Sequence, residues 1–367
     1  MKFEPMSVPL RSEKLVKLLE SQNIDGLVVT GLANVRYLSG FSGSAGIVSV
    51  RSSDGQMAVT TDGRYEIQIK EELELHGVKA KVFVGKPLSQ LNYLSRHLAK
   101  AKRVGLEANQ IKWGSIPLFE KIFAGKELVP TSNIVEGLRK IKDVGEISRM
   151  RAAANCADLA FAKVRHKMIP GATEREIARL LDSEIRKFGA AGNSFPTILA
   201  SGPNGALPHA QPSERKLEIG DLVVCDFGAV VDGYCSDMTR TVLIGDFRNK
   251  ELKKIEKLVR KSQELGVQSV RAGVRTTSVD RACRVYIDNS GYGKFFNHST
   301  GHGVGLDVHE EPYVASKMAS TLKTGMVVTV EPGIYLEGLG GVRIEDTVVV
   351  TENGCQPLTL ASKELVA

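Results

Sequence analysis

The sequence is poor in the features that staple a chain or carry it across a membrane. Its five cysteines (Cys156, Cys225, Cys235, Cys283 and Cys355) are odd in number and scattered, with no Cys-x-x-Cys pair. That excludes a disulfide framework and a thiolate zinc site, and a reduced, cytoplasmic setting is expected. No stretch reaches the roughly 18 uncharged apolar residues that a membrane span needs. The start, Met1-Lys2-Phe3-Glu4-Pro5, has no apolar core, so neither a signal peptide nor a membrane partner is expected. Aromatic residues make up 6% of the chain and do not interleave with basic ones, which argues against a nucleic-acid partner despite a net charge of +7. The basic clusters, Arg139-Lys140-Ile141-Lys142 and Lys253-Lys254 with Arg260 and Lys261, read as solvated helix faces.

What is present is the composition of a globular protein, 42% hydrophobic and 25% charged over 367 residues, enough for two domains. Residues 1–135 alternate short apolar strands with helices, as in Leu27–Thr30, Gly46–Val50, Met57–Thr60 and Val78–Val84, which predicts an α/β layered domain. His76 and His97 fall on charged helical segments and read as surface residues. Gly137–Lys142 reads as a linker, a long helix follows over 144–165, and residues 139–367 form the second domain. Five of the seven histidines lie in that half.

The second half contains an internal repeat. Gly171-Ala172-Thr173-Glu174-Arg175-Glu176 opens a helix with a capping box and ends it at Gly189. Gly273 opens a second helix, ending at Gly291, with Ile177, Leu181 and Ile185 matched by Val279, Cys283 and Ile287 at a constant offset of 102. His209-Ala210-Gln211-Pro212 is echoed by His309-Glu310-Glu311-Pro312, and Asp226 and Asp237 by Glu331 and Glu345. Two α+β halves related by a pseudo-twofold axis, each giving two carboxylates to a shared centre, account for the pattern.

Asp232-Gly233 is a type I′ turn signal, so Leu222–Val231 and Tyr234–Ile244 are expected to pair with Asp226 opposite Thr239. Period-two alternation then puts Asp226, Gly228, Asp237 and Thr239 on one face, with the two aspartates diagonal neighbours ~7–8 Å apart at Cα. A second strand pair is expected over Val327–Glu331 and Val342–Val348, with Arg343 and Glu345 on one face. Four acids among apolar neighbours repel one another, and one arginine cannot balance them. His298, His302 and His309 fall within twelve residues on a glycine-rich loop. Oxygen-rich donors with one imidazole favour Mn²⁺, Co²⁺ or Fe²⁺, and this much charge suits two ions.

These residues resemble the pita-bread metallopeptidases, the family of methionine aminopeptidase, aminopeptidase P and prolidase. Residues 1–135, including Asn34-Val35-Arg36-Tyr37-Leu38-Ser39-Gly40-Phe41, resemble the creatinase-type N-terminal domain of the Xaa-Pro branch. The resemblance implies that Asp237 and Glu345 bridge two divalent ions, with Asp226 completing one site and His302 with Glu331 the other. Mn²⁺ is the expected metal, with Co²⁺ or Zn²⁺ as alternatives. It further implies that Glu331 shuttles a proton, that His209, His298 and His309 surround the scissile carbonyl and the proline pocket, and that Arg343 orients a carboxylate ligand. The implied reaction is hydrolysis of an N-terminal Xaa-Pro bond in a proline-containing peptide by a homodimer. Several dipeptide-cutting members carry arginine just after the proline that matches Pro312. Tyr313 stands there, which tilts the expectation toward aminopeptidase P-like action over a strict dipeptidase (prolidase). Methionine aminopeptidase, creatinase and a non-catalytic binding protein are the remaining alternatives.

Overall fold

The computed structural model of the chain describes residues 1–365. It divides into two compact units, Pro5–Arg139 and the chain from Lys140 onward together with Met1–Glu4. The first unit is a six-stranded mixed sheet of β1 (Gly26–Val29), β2 (Ile47–Arg51), β3 (Met57–Thr61), β4 (Ala80–Val84), β5 (Arg103–Glu107) and β6 (Glu127–Thr131), in the order β4-β3-β2-β1-β5-β6. The parallel pairs β3–β4 and β5–β6 are joined by helices Glu66–Leu75 and Ile116–Ile122, the crossover that parallel strands require.

Two histidines of this unit depart from the surface reading. His97 is half-buried, with Nδ1 2.8 Å from Ser49 Oγ. His76 packs on Gly40, which ends helix Leu32–Ser39 at φ +76°; a Cβ there would meet the His76 ring at 2.1 Å. The basic cluster is also less solvated than its composition implies. Arg139 is buried and donates to Asn34 Oδ1, while Lys142, buried in the second unit, forms an ion pair with Glu310.

In the second unit the repeated helices are Glu174–Lys187 and Thr276–Asn289, equal in length and offset by 102 as the repeat predicts. Thr173 and Glu176 complete the capping box, and Gly189 and Gly291 take the positive φ that follows a helix end. The helices bury the matched residues Ile177, Leu181 and Ile185 in one core and Val279, Cys283 and Ile287 in another. The first half supplies β7 (Gly192–Asn193), β8 (Ile198–Ser201), β9 (Leu222–Phe227), β10 (Ala229–Val231), β11 (Tyr234–Cys235) and β12 (Met238–Leu243), in sheets β12-β9-β8 and β11-β10-β7. The second supplies β13 (Gly301–Gly303), β14 (Glu310–Val314), β15 (Val327–Val330), β16 (Gly333–Leu336), β17 (Gly340–Arg343), β18 (Asp346–Val350) and β19 (Cys355–Pro357), in sheets β14-β13-β15-β18-β19 and β16-β17.

The hairpin register is the expected one, Asp226 opposite Thr239 and Val231 opposite Tyr234, and Asp232 and Gly233 both have positive φ. The strands are not continuous, however. They break at Gly228 and at Ser236-Asp237, where the backbones approach so closely that a Cβ on Gly228 would lie 2.0 Å from Ser236 O. The expected strand over 342–348 also divides. Arg343 ends β17 in one sheet and Asp346 opens β18 in another, leaving Glu345 in the gap.

Candidate metal centre

These breaks place the acids. Asp226 is near the end of β9, Asp237 lies between β11 and β12, Glu331 follows β15, and Glu345 sits between β17 and β18. A carboxylate at a strand break escapes strict alternation and can turn toward its symmetry-related counterpart. Ligand atoms of Asp226, Asp237 and Glu345 lie within 4.8 Å of one another, as do those of His302, Glu331 and Glu345, and those of Asp237, His302 and His309. Asp237, His302 and Glu345 each belong to two of these groups.

The surrounding hydrogen bonds fix each group. His302 on β13 points Nδ1 at Gly303 O (3.0 Å), which leaves Nε2 3.3 Å from Glu331 Oε1 and 3.5 Å from Asp237 Oδ2. Thr239 donates to Glu345 Oε2 at 2.8 Å and accepts from Arg343 Nε at 3.1 Å. Arg343 Nη2 reaches Asp226 Oδ2 at 2.6 Å, and its Nη1 donates to Tyr335 Oη at 2.7 Å. Tyr335 in turn is 3.0 Å from His298 Nε2. Tyr335 was not singled out in the sequence, although it follows Gly333 by two residues on β16.

Electrostatics make this cluster frustrated without a cation. Burial, then the charges of Glu345, Asp226 and Glu331, push the Asp237 carboxyl well up, and burial with Glu331 does the same to Glu345. Burial raises Asp226 too, against the opposing charge of Arg343. Glu331 is the exception: burial pushes it up, but the bond and charge of His302 together with the charges of His298 and Arg343 outweigh burial and hold it at about 2. Asp226 Oδ1 and Glu345 Oε1 are buried with no hydrogen-bond partner. Unpaired buried carboxylate oxygens are costly, and oxygen donors with one imidazole suit hard divalent cations. The residues present therefore fit a metal.

The acids and histidines line a cleft of about 400 Å³. His209, His298 and His309 all reach it, and its apolar wall includes Phe195, Pro196, Ile198 and Tyr313. His309 stands edge-on to His302 with ring centroids 4.3 Å apart. Phe195 and Pro196 carry no pattern by which the sequence would have marked them.

A pseudo-symmetric α+β unit with such a carboxylate–histidine cluster in a cleft is the architecture of a metal-dependent hydrolase. The chain belongs to metallopeptidase family M24, whose model matches residues 148–352, and the Creatinase/Prolidase N-terminal domain matches residues 11–141. It is 36% identical to a Xaa-Pro dipeptidase of Pyrococcus furiosus, over 97% of this chain and 99% of that protein. Among solved structures, a Xaa-Pro dipeptidase from Bacillus anthracis superposes with a TM-score of 0.92 at 37% identity, covering 98% of this chain and 99% of that one. An X-Pro aminopeptidase from Thermotoga maritima gives 0.87 at 36% identity, covering 97% and 100%. No helix among the described residues is long and apolar enough to cross a membrane.

Proposed function

We propose that the protein hydrolyses the Xaa-Pro bond at the N-terminus of peptides, using two divalent ions held by Asp226, Asp237, His302, Glu331 and Glu345. The observation that carries this reading is the pair of partnerless buried oxygens, Asp226 Oδ1 and Glu345 Oε1, within one cluster of ligand atoms. Asp237 and Glu345 are suited to bridge, since each is shared between groups and carries two oxygens, whereas His302, also shared, turns Nδ1 to Gly303 O and offers Nε2 alone. The donor chemistry favours Mn²⁺, with Co²⁺ or Zn²⁺ as alternatives. The absence of a disulfide among the described residues suits a cytoplasmic setting, and the family resemblance supports a homodimer.

Bound ions would supply Lewis acidity toward the scissile carbonyl and lower the pKa of the attacking water. The protein's own residues do the rest. Glu331, held ionised, accepts the water's proton and returns it to the proline nitrogen as the bond breaks. His298 lines the cleft with both ring nitrogens engaged, Nδ1 by Ser299 O and Nε2 by Tyr335, so bonding to the peptide falls to His309 and His209, which line the same cleft. Arg343 fixes Asp226 while leaving one oxygen free. Phe195, Pro196 and Ile198 form an apolar wall against which a proline ring packs.

Among the described residues Arg343 is the one Lys or Arg side chain lining the cleft, and it is already bonded to Asp226, Tyr335, Thr239 and Pro208 O. Among the described residues of the cleft, no guanidinium or ammonium remains to grip the free carboxylate of a dipeptide. This supports aminopeptidase P-like action on longer peptides. The prolidase reading is favoured instead by the likeness to the Pyrococcus furiosus and Bacillus anthracis dipeptidases. A paired assay with added Mn²⁺ separates them, comparing a free Xaa-Pro dipeptide with a longer peptide that has proline second. Faster cleavage of the longer peptide supports the aminopeptidase; cleavage of the dipeptide alone makes the protein a prolidase; cleavage of neither sinks the Xaa-Pro assignment.

A further inference from the structure

Helix Glu174–Lys187 begins with a buried carboxylate that its own N-terminus does not use, because the capping box is completed by Thr173 and Glu176. Glu174 has no exposed surface. It accepts from the backbone N–H of Ser201 (2.7 Å) and of Ser213 (3.0 Å), from their hydroxyls (2.7 and 2.6 Å), and from the Asn204 side-chain amide (3.1 Å). The nearest cation in this network, Arg215, is joined to it through Ser201 Oγ, at 2.6 Å from Nη1. Burial opposes the charge, but the bonds from Ser213 and Ser201 outweigh it and hold the carboxyl below its usual range. A buried carboxylate without a direct ion pair persists only with such a full set of donors.

Those donors bracket one segment. Residues 202–212 run between Ser201 and Ser213 and deliver Pro208 and His209 to the cleft. Within the segment Ala210 is buried with Ile198 and Ala200, and Pro208 O accepts from Arg343. The backbone also runs tightly against β17, where a Cβ on Gly341 would lie 2.0 Å from Gly205 O. A shift of the loop therefore cannot be absorbed locally.

The second half repeats the device in weaker form. Thr276, 102 residues after Glu174, accepts from Ser320 N–H at 3.1 Å and donates to Met318 O at 2.9 Å. Both halves thus fasten the chain beyond a His-x-x-Pro segment to the first residue of the repeated helix. A hydroxyl holds one end of its loop, whereas the carboxylate of Glu174 holds both ends of the loop that carries His209.

We propose that Glu174 is a positioning residue that fixes segment 202–212 so that the His209 imidazole meets the substrate; this rests on the peptidase reading above. The test measures Glu174→Gln and Glu174→Asp, each alone and combined with His209→Ala. The readouts are kcat and KM on one Xaa-Pro peptide, bound metal per chain, and amide hydrogen exchange. Glu174→Gln presents donors where acceptors are needed. It is expected to lower kcat/KM by about 10–100-fold, the size of effect that slight misplacement of a reacting group produces. Metal content stays at the wild-type level, exchange quickens in 202–213 while helix Glu174–Lys187 stays protected, and Glu174→Asp recovers part of the loss. In the His209→Ala background the further loss shrinks to less than about threefold, because the two residues act as one unit.

An equal loss in both backgrounds overturns the proposal, as does faster exchange in 202–213 with unchanged kinetics. Should the wild-type protein cut no Xaa-Pro peptide, the peptidase reading fails by itself. The exchange data then decide alone: selective loss of protection in 202–213 supports the clamp, and unchanged or global exchange overturns it.

Discussion

Arg343 Nη2 stands 2.6 Å from Asp226 Oδ2, while the other oxygen of that carboxylate, Oδ1, is buried without a hydrogen-bond partner. One half of Asp226 is thus held by the protein and the other half is left for a cation. Arg343 is buried and Asp226 largely so at the wall of the cleft, and removing the guanidinium takes away the cation bonded to that carboxylate. Arg343→Met is expected to destabilise the metal-free protein by about 3–5 kcal/mol, measured by chemical denaturation. A loss below about 1 kcal/mol contradicts the pairing.

Asp237 shares one group of ligand atoms with Asp226 and Glu345, and its Oδ2 stands 3.5 Å from His302 Nε2 of the other proposed site. Asp237→Asn is therefore expected to empty both ion positions, with bound metal approaching zero by elemental analysis and turnover falling roughly 10²–10³-fold or more. Retention of two ions per chain refutes the bridging role. His309→Ala makes the contrast, lowering turnover with metal content unchanged.

Gly228 sits where the hairpin breaks between the two aspartates. A Cβ there would lie 2.0 Å from Ser236 O and 2.1 Å from Ser194 Oγ, so the backbone itself has to move. Gly228→Ala is expected to cost about 1–3 kcal/mol and to weaken metal binding, since Asp226 and Asp237 flank the contact. Thermal unfolding with a parallel metal titration measures both; wild-type values for each would show that the break is not required.

In the first unit, burial, with added repulsion from Arg51 and Lys81, pushes the His97 imidazole down from its ordinary 6.5 to about 4. Between those values the unfolded chain binds a proton that the folded one refuses. The stability contributed by neutral His97 is therefore complete above about pH 6.5 and is lost as pH falls toward 4. His97→Gln keeps a partner for Ser49 and should flatten this dependence. Parallel pH–stability curves for the two proteins test it.

The sequence made the catalytic unit legible because repetition and alternation are local properties. The offset of 102 located both helices, and the Asp232-Gly233 turn set the register that pairs Asp226 with Thr239. The strand breaks were not legible, since they follow from a close approach between Gly228 and Ser236 that only the assembled sheets create. The same reason hid Tyr335 and Phe195, whose roles depend on what faces them across the cleft. Arg139 and Lys142 read as solvated because composition counts charges without locating the Asn34 and Glu310 that receive them. In the sequence Glu174 is only one residue of the run that opens a helix, and the return of Ser201, Asn204 and Ser213 to its carboxylate is what reveals its partners.

The central claim is that the carboxylate–histidine cluster works as a two-ion centre. The most direct measurement strips the protein with a chelator, then titrates Mn²⁺ while following hydrolysis of a peptide with proline second. The account predicts no turnover in the stripped protein and recovery that is complete at two ions per chain. Full turnover while the chelator remains in excess would contradict it.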